Sequence, residues 1–239
     1  MSGRPDPVQD PESIPWVTAA EMAEVDRIMV DEIGIALIQM MENAGRNLAR
    51  FVLDSFSPRA VTVLAGSGGN GGGGLTAARR LHLVGVQVSV VLSHDPASLS
   101  PVTARQLSII EALGIALVDE PPPADVAIDA LVGYSLVAPL RGRVATLVDA
   151  VADLRDQGAM VVALDLPSGL DATTGEALGN VIEADATVTL ALPKRGLGVS
   201  SAPGHLVLAD SSVPPEVSLR FGTGAPDFSV SELVTIPDP

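Results

Sequence analysis

The chain has no cysteine. That excludes a disulfide scaffold, a thiol nucleophile, iron–sulfur clusters and thiolate zinc sites. Histidine is nearly as scarce, with only His82, His94 and His205, so a multi-histidine metal centre is not expected. Aromatic residues make up 3% of the 239 residues. Basic residues are few, 14 against 29 acidic ones, for a net charge of −15. Such a chain repels phosphates, which argues against general binding to nucleic acid or to an anionic membrane. No run is apolar for long enough to span a bilayer, because proline, glycine and charge interrupt each one. The N-terminal stretch is polar and proline-rich with no apolar segment, so a cytoplasmic protein is the expectation.

One scarcity is more specific. Lys194 is the only lysine, and every other basic residue is arginine. A composition that replaces lysine by arginine wherever either serves leaves the surviving lysine as a place where arginine does not serve.

What is present is a core. Hydrophobic residues make up 47% and charged residues 18%, which suits a folded domain rather than a disordered chain. Residues 1–15 are expected to be a flexible leader, and 16–239 a single domain. Thr18 with Glu21 forms a capping-box pattern, followed by Met22, Val25, Ile28 and Met29 at helical spacing, and Gly34 ends that helix. A second helix is expected from Ile35 to Phe56. After it the period changes. Strands are expected at 61–65, 86–92, 126–131, 160–164, 186–192 and 205–209, with helices at 75–83, 101–113 and 142–157 between them. Alternation of this kind predicts a mostly parallel sheet with helices on both faces, behind an N-terminal helical arm. Ligands of such sheets bind outside the carboxyl ends of the strands. Asn70, Asp129, Asp165, Ser168 and Lys194 all fall there.

Gly66 to Gly74 reads as a glycine loop between a strand and a helix, able to converge backbone N–H groups on a phosphate. It is no P-loop, since no Lys-Ser/Thr pair follows. Asp165 ends an apolar strand, with Ser168 and Asp171 beyond it. A carboxylate so placed serves as an acid/base or as a cation ligand. Asp129 ends another strand in the same way. The histidines and the methionines Met22, Met29, Met40 and Met41 read as structural.

The motifs in order resemble the YjeF N-terminal domain family, the NAD(P)H-hydrate epimerases, which include the apolipoprotein A-I-binding protein of animals. The resemblance covers residues 18–234. It rests on Thr18, Glu21 and Asp26 of the arm, and on Met41, Glu42, Asn43 and Gly45. It rests also on Gly66, Gly68, Asn70, Gly71, Gly72, Gly74 and Leu75, on Asp129 to Gly133 with Arg141 and Gly142, on Asp165 to Asp171, and on Pro193, Lys194 and Leu197. Where the family's loop carries a first asparagine and an aspartate, this chain has Gly69 and Gly73.

The resemblance implies a Rossmann-like three-layer αβα sandwich that works as a homodimer. It implies interconversion of the R and S forms of hydrated NADH and NADPH, with a dehydratase as functional partner. By position, the substrate would meet Gly69, Asn70, Gly71, Gly72, Gly73, Gly133, Tyr134, Ser135, Leu136, Val137, Ala138, Pro139 and Asp165. A potassium ion would lie on Asn70, Asp129 and Ser168. Asp165 is the expected acid/base and Lys194 its orienter. The alternative reading is a non-catalytic nucleotide-binding or scaffold module of the same fold.

Overall fold

The computed structural model describes residues 6–237. Its centre is an eight-stranded sheet in the order β3-β2-β1-β4-β5-β6-β7-β8. The strands are β1 (Ala60–Ala65), β2 (Gln87–Leu92), β3 (Ala116–Leu117), β4 (Val126–Ala130), β5 (Met160–Leu164), β6 (Ala186–Leu190), β7 (His205–Ala209) and β8 (Leu233–Ile236). All neighbouring pairs are parallel except β7 with β8. The helices are α1 (Ala19–Arg27), α2 (Leu37–Phe56), α3 (Gly69–Leu83), α4 (Pro101–Ala112), α5 (Arg143–Asp156) and the short α6 (Pro215–Ser218).

The central parallel strands β1, β4, β5 and β6 are buried on both faces, as their apolar, largely β-branched runs require. In β1, Val61, Val63 and Ala65 face α2, α3 and α4, while Leu64 joins the α5 side. The three-layer αβα sandwich follows from this division. The arm forms as its pattern predicts. Thr18 and Glu21 close the capping box, and Met22, Val25, Ile28 and Met29 are buried. The helix continues as a π-helical turn over Ile28–Ile33 and stops at Gly34, whose φ is +83°. At α4, Ser100 caps the helix and Pro101 takes its first position.

Two strands escape the sequence patterning. The first, β3, has two exposed residues, too few to show a period. The second, β8, follows a long irregular stretch and pairs antiparallel at the edge. The leader expected over 1–15 lies partly outside the described residues. Within them, the Thr235 N–H donates to the Pro7 carbonyl at 2.8 Å, the Gln9 N–H donates to the Thr235 carbonyl at 2.8 Å, and Ile14 is buried. Residues 7–9 therefore pair with β8, and the segment through Ile14 packs on the domain instead of standing free of it.

The largest correction concerns the glycine run. It is not a loop beyond Gly68: α3 begins at Gly69, so Gly71 to Gly74 form its first turns. Glycine is a poor helix former, and four in succession hide the helix from any propensity argument. Packing explains them. A Cβ on Gly71 would overlap the Gly66 carbonyl, and one on Gly74 would overlap Ala130 of β4. Helix α3 is pressed so closely on the β1–β4 seam that side chains have no space. Gly69 differs, because a Cβ there meets only the Met41 methyl at 3.7 Å. Gly71→Ala should therefore cost roughly 3 kcal/mol by overpacking. For a domain of this size that lowers Tm by roughly 6–12 °C. Gly69→Ala should stay within about 1 kcal/mol of the parent. Paired thermal melts of the two variants test the packing argument, which fails if both melt alike.

Candidate functional site

The strand order reverses between β1 and β4, and the loops leaving the strands at that end surround a cavity of about 390 Å³. Five strand ends contribute: Gly68 and Asn70 after β1, Gly133 and Tyr134 after β4, Asp165 after β5, Lys194 after β6 and Ser211 after β7. The arm and α2 close the cavity with Met22, Asp26, Leu37, Met40 and Met41.

Lys194 is 1% exposed, the largest of the fully buried side chains. Its Nζ donates to Asp165 Oδ1, to the Leu190 carbonyl at 2.8 Å and to Thr189 Oγ1 at 3.4 Å. Three protons thus meet three acceptors. Asp165 is 4% exposed and accepts on its other oxygen from the Tyr134 N–H at 3.3 Å. The Leu190 N–H approaches Oδ1 at 3.4 Å. Each partner of this carboxylate is a donor.

The backbone here is contorted. Asp165 and Ala191 have φ of +69° and +64°. Each is the middle residue of a three-residue turn, closed by Leu166 N–H to Leu164 carbonyl at 2.9 Å and by Leu192 N–H to Leu190 carbonyl at 2.7 Å. Such positive-φ γ-turns are rare and strained. Ser212, next to the cavity residue Ser211, also has positive φ, +65°. The ends of β5, β6 and β7 thus all turn abruptly at the cavity.

Asp129 lies just beneath. It is fully buried, and burial pushes its carboxyl up to about 6 against the pull of its donors. Ser168 donates its hydroxyl to Oδ1 and its N–H to Oδ2, both at 2.7 Å, and the Leu131 N–H donates to Oδ1 at 3.1 Å. The Ser168 hydroxyl also accepts from the Val132 N–H at 2.9 Å. The next residue, Gly133, is a close approach: a Cβ there would stand 2.9 Å from Asp165 Oδ2 and 3.5 Å from Asn70 Oδ1. The Asn70 Nδ2 is buried and has no hydrogen-bond partner among the described residues.

The expected site residues divide. Gly69, Asn70, Gly73, Gly133, Tyr134, Ser135, Asp165 and Lys194 line the cavity. Asp129 and Ser168 sit next to it, joined to the loop at residues 131–133. Gly71 and Gly72 are outside the lining: a Cβ on Gly71 would meet the Gly66 backbone, and one on Gly72 the side chains of Met41 and Thr103. Leu136, Val137, Ala138 and Pro139 lie outside the lining, with Val137 91% exposed. Met22, Met40 and Met41, read as purely structural, line the cavity while being buried.

Asp26 enters the sequence pattern only through the family resemblance, and the structure gives it a partner. Asp26 accepts a 2.5 Å hydrogen bond from the Tyr134 hydroxyl. Burial pushes its carboxyl up, and the same cause with the neighbouring Asp26 charge pushes the Tyr134 phenol up. Its signal was a carboxylate four residues after Met22, beside the apolar face of α1.

Residues 37–196 match the family described as YjeF-related protein N-terminus. A curated NAD(P)H-hydrate epimerase from Dehalogenimonas lykanthroporepellens is 44% identical, over 88% of this chain and 87% of its own. Another, from Rhodopirellula baltica, is 34% identical over 87% and 88%. A bifunctional NAD(P)H-hydrate repair enzyme from Salinibacter ruber is 36% identical, and there the match takes up 42% of the relative. Among solved structures, yeast ynu0 shares the fold, with a TM-score of 0.81 at 23% identity over 92% of this chain and 99% of that one. With its family match across two thirds of the sequence and these identities across nearly all of it, the chain belongs to the YjeF-related protein N-terminus family.

Proposed function

We propose that this chain is an NAD(P)H-hydrate epimerase, an isomerase that interconverts the R and S forms of hydrated NADH and NADPH. One observation carries the reading: a carboxylate, Asp165, fixed in a cavity at the sheet's switch point by the only lysine, in a chain 44% identical to a curated epimerase. The hydrate carries a hydroxyl on C6, beside the ring nitrogen. That nitrogen's lone pair can expel the hydroxyl as water, leaving an iminium, and water can return from the other face. The protein must move protons at the C6 oxygen and keep bulk water out. Asp165 moves the proton, and Lys194 holds Asp165 in position.

A dehydratase that consumes one epimer is the natural partner of this reaction. The relatives named bifunctional repair enzymes support that pairing, since the match takes up under half of the Salinibacter ruber protein. A homodimer is the assembly in this reading, supported by the exposed apolar residues Val30, Ile33, Leu37 and Ile38. Among the described residues no helix is long and apolar enough to cross a membrane.

Potassium belongs to the same proposal. Asn70, Asp129 and Ser168 would hold it through oxygen alone, which suits a hard cation. Among the described residues no three acidic or histidine side chains gather. Of Asn70, Asp129 and Ser168 only Asp129 carries a charge, which suits a monovalent ion. The partnerless amide nitrogen of Asn70 fits as well, because no hydrogen bond fixes how that amide is turned. When bound, the ion supplies fixed positive charge beside the substrate.

Three outcomes are expected. Asp165→Asn keeps the shape of the side chain and should slow epimerisation by about a hundredfold to ten-thousandfold. The measurement couples the protein to an epimer-specific dehydratase, where complete rather than half conversion reports epimerisation above the spontaneous rate. A wild-type protein with no such rate would favour the binding-module reading. Lys194→Met strands the buried Asp165 charge and should cost about 3–5 kcal/mol, read as a fall in Tm. Hydrated NADH should raise Tm more in potassium than in tetramethylammonium, and Asp129→Asn should close that gap. An equal shift in both salts for the wild type would remove the cation from the proposal.

A further inference from the structure

Lys194 cannot serve as a proton donor without breaking its cage, since all three N–H groups are engaged. Every hydrogen-bond partner of Asp165 is a donor, so its oxygens are arranged as acceptors. A reaction that expels a hydroxyl from one face of a ring and takes water on the other needs a second group. Asp26 is the remaining carboxylate in the cavity lining. It enters from α1, away from the sheet, whereas Asp165 enters from the end of β5. Its Oδ2 is held by the Tyr134 hydroxyl, and its Oδ1 has no hydrogen-bond partner among the described residues. Tyr134 touches both carboxylates, Asp165 through its backbone N–H and Asp26 through its hydroxyl, so one residue sets their separation. The groups facing Asp26 are Tyr134, Lys194 and Asp165. Burial raises its pKa, Asp165 adds to the rise, and Tyr134 and Lys194 oppose it.

We propose that Asp26 is a second proton-transfer group, acting on the opposite face of the hydrate from Asp165, with Tyr134 as the positioning residue for both. The inference rests on the epimerase reading. In one direction the Asp26 carboxyl gives its proton to the C6 oxygen. The C6–O bond breaks, its electron pair leaves with water, and the ring nitrogen's lone pair forms the C6=N bond. A water then attacks C6 from the other face, the C=N pair returns to nitrogen, and the water's proton passes to Asp165. A substrate of opposite hand runs the roles in reverse; where only one hand is supplied, proton exchange with water returns Asp26 to its acid form and Asp165 to its carboxylate form before the next turnover.

The test uses each epimer separately, with heavy oxygen in the C6 hydroxyl. Epimerisation and loss of label without inversion are followed together. Asp26→Asn should slow epimerisation by about a hundredfold or more in both directions, because the equilibrium ties them. One epimer, the one whose hydroxyl faces Asp165, should still exchange its oxygen without inverting. Asp165→Asn should show the mirror image, with exchange surviving only in the other epimer. A merely structural role for Asp26 produces no such split. Tyr134→Phe should leave both exchanges and slow inversion. Wild-type epimerisation by Asp26→Asn, or equal loss of exchange in both epimers at an unchanged Tm, overturns the inference. If Asp26→Asn melts far below the parent, Asp26→Glu decides: tenfold or greater recovery over Asn supports the inference, and none overturns it. No epimerisation by the wild type above the spontaneous rate overturns the epimerase reading itself.

Discussion

A lysine that is 1% exposed constrains everything around it. Removing an ammonium from water costs several kcal/mol unless each proton finds an acceptor. The acceptors come from Asp165 just beyond β5 and from Thr189 and Leu190 at the end of β6. Those two strand ends must therefore stay in register. The segment that carries Lys194 also anchors the arm. The Val17 N–H donates to the Pro193 carbonyl and the Arg195 N–H to the Val17 carbonyl, both at 2.9 Å. The residues flanking the lysine thus set where α1 begins, and with it where Met22 and Asp26 stand. The same geometry explains the residue type. A compact ammonium on a flexible stem meets three acceptors at one point, whereas the flat five-donor fork of arginine would leave donors unpaired in a closed space.

Several local choices at this end of the sheet are unfavourable on their own. Positive φ at Asp165, Ala191 and Ser212 costs of order 1–3 kcal/mol each. Each glycine inside a helix costs roughly 0.5–1 kcal/mol against alanine. These costs fall together where five strand ends meet, and the rest of the domain, a sheet buried on both faces, offsets them. Strain at Asp165 fixes the carboxylate at a sharp turn. Glycine in α3 brings the helix's first amides, without intrahelical acceptors, close to the same cavity.

The sequence was most legible where local chemistry and tertiary role agree. Val61 to Ala65 and Met160 to Leu164 are apolar runs that become buried strands. Thr18 with Glu21 is a cap in sequence and in space. Lys194 could be singled out by composition alone, and its burial gives that scarcity a cause. Legibility failed where distant packing overrides propensity. Nothing near Gly71 announces that Gly66 and β4 leave no space for a Cβ, so a helix read as a loop. The Asp26–Tyr134 bond joins residues 108 apart in the chain. Each looks ordinary until the arm folds over the sheet. The edge strands β3 and β8 are set by their neighbours more than by their own residues.

The two walls of the cavity divide the chemistry. The sheet side supplies Asp165 and Lys194, held by a sharp turn and buried bonds, together with the amide of Asn70. The arm and α2 supply Met22, Leu37, Met40 and Met41, with Asp26 the single charge among them. An aromatic cofactor ring is commonly gripped by stacking, and this chain has little to stack with: Tyr134 is the one aromatic residue in the lining. The hydrate of the proposed reaction is different. Its C6 is tetrahedral and its ring puckered, so a flat aromatic partner would touch it poorly. Unbranched methionine side chains adapt to either pucker. An epimerase must accept both hands of one carbon in one place. A rigid polar wall that fixes Asp165, faced by a compliant, mostly apolar wall that carries Asp26 and tolerates both shapes, meets that demand.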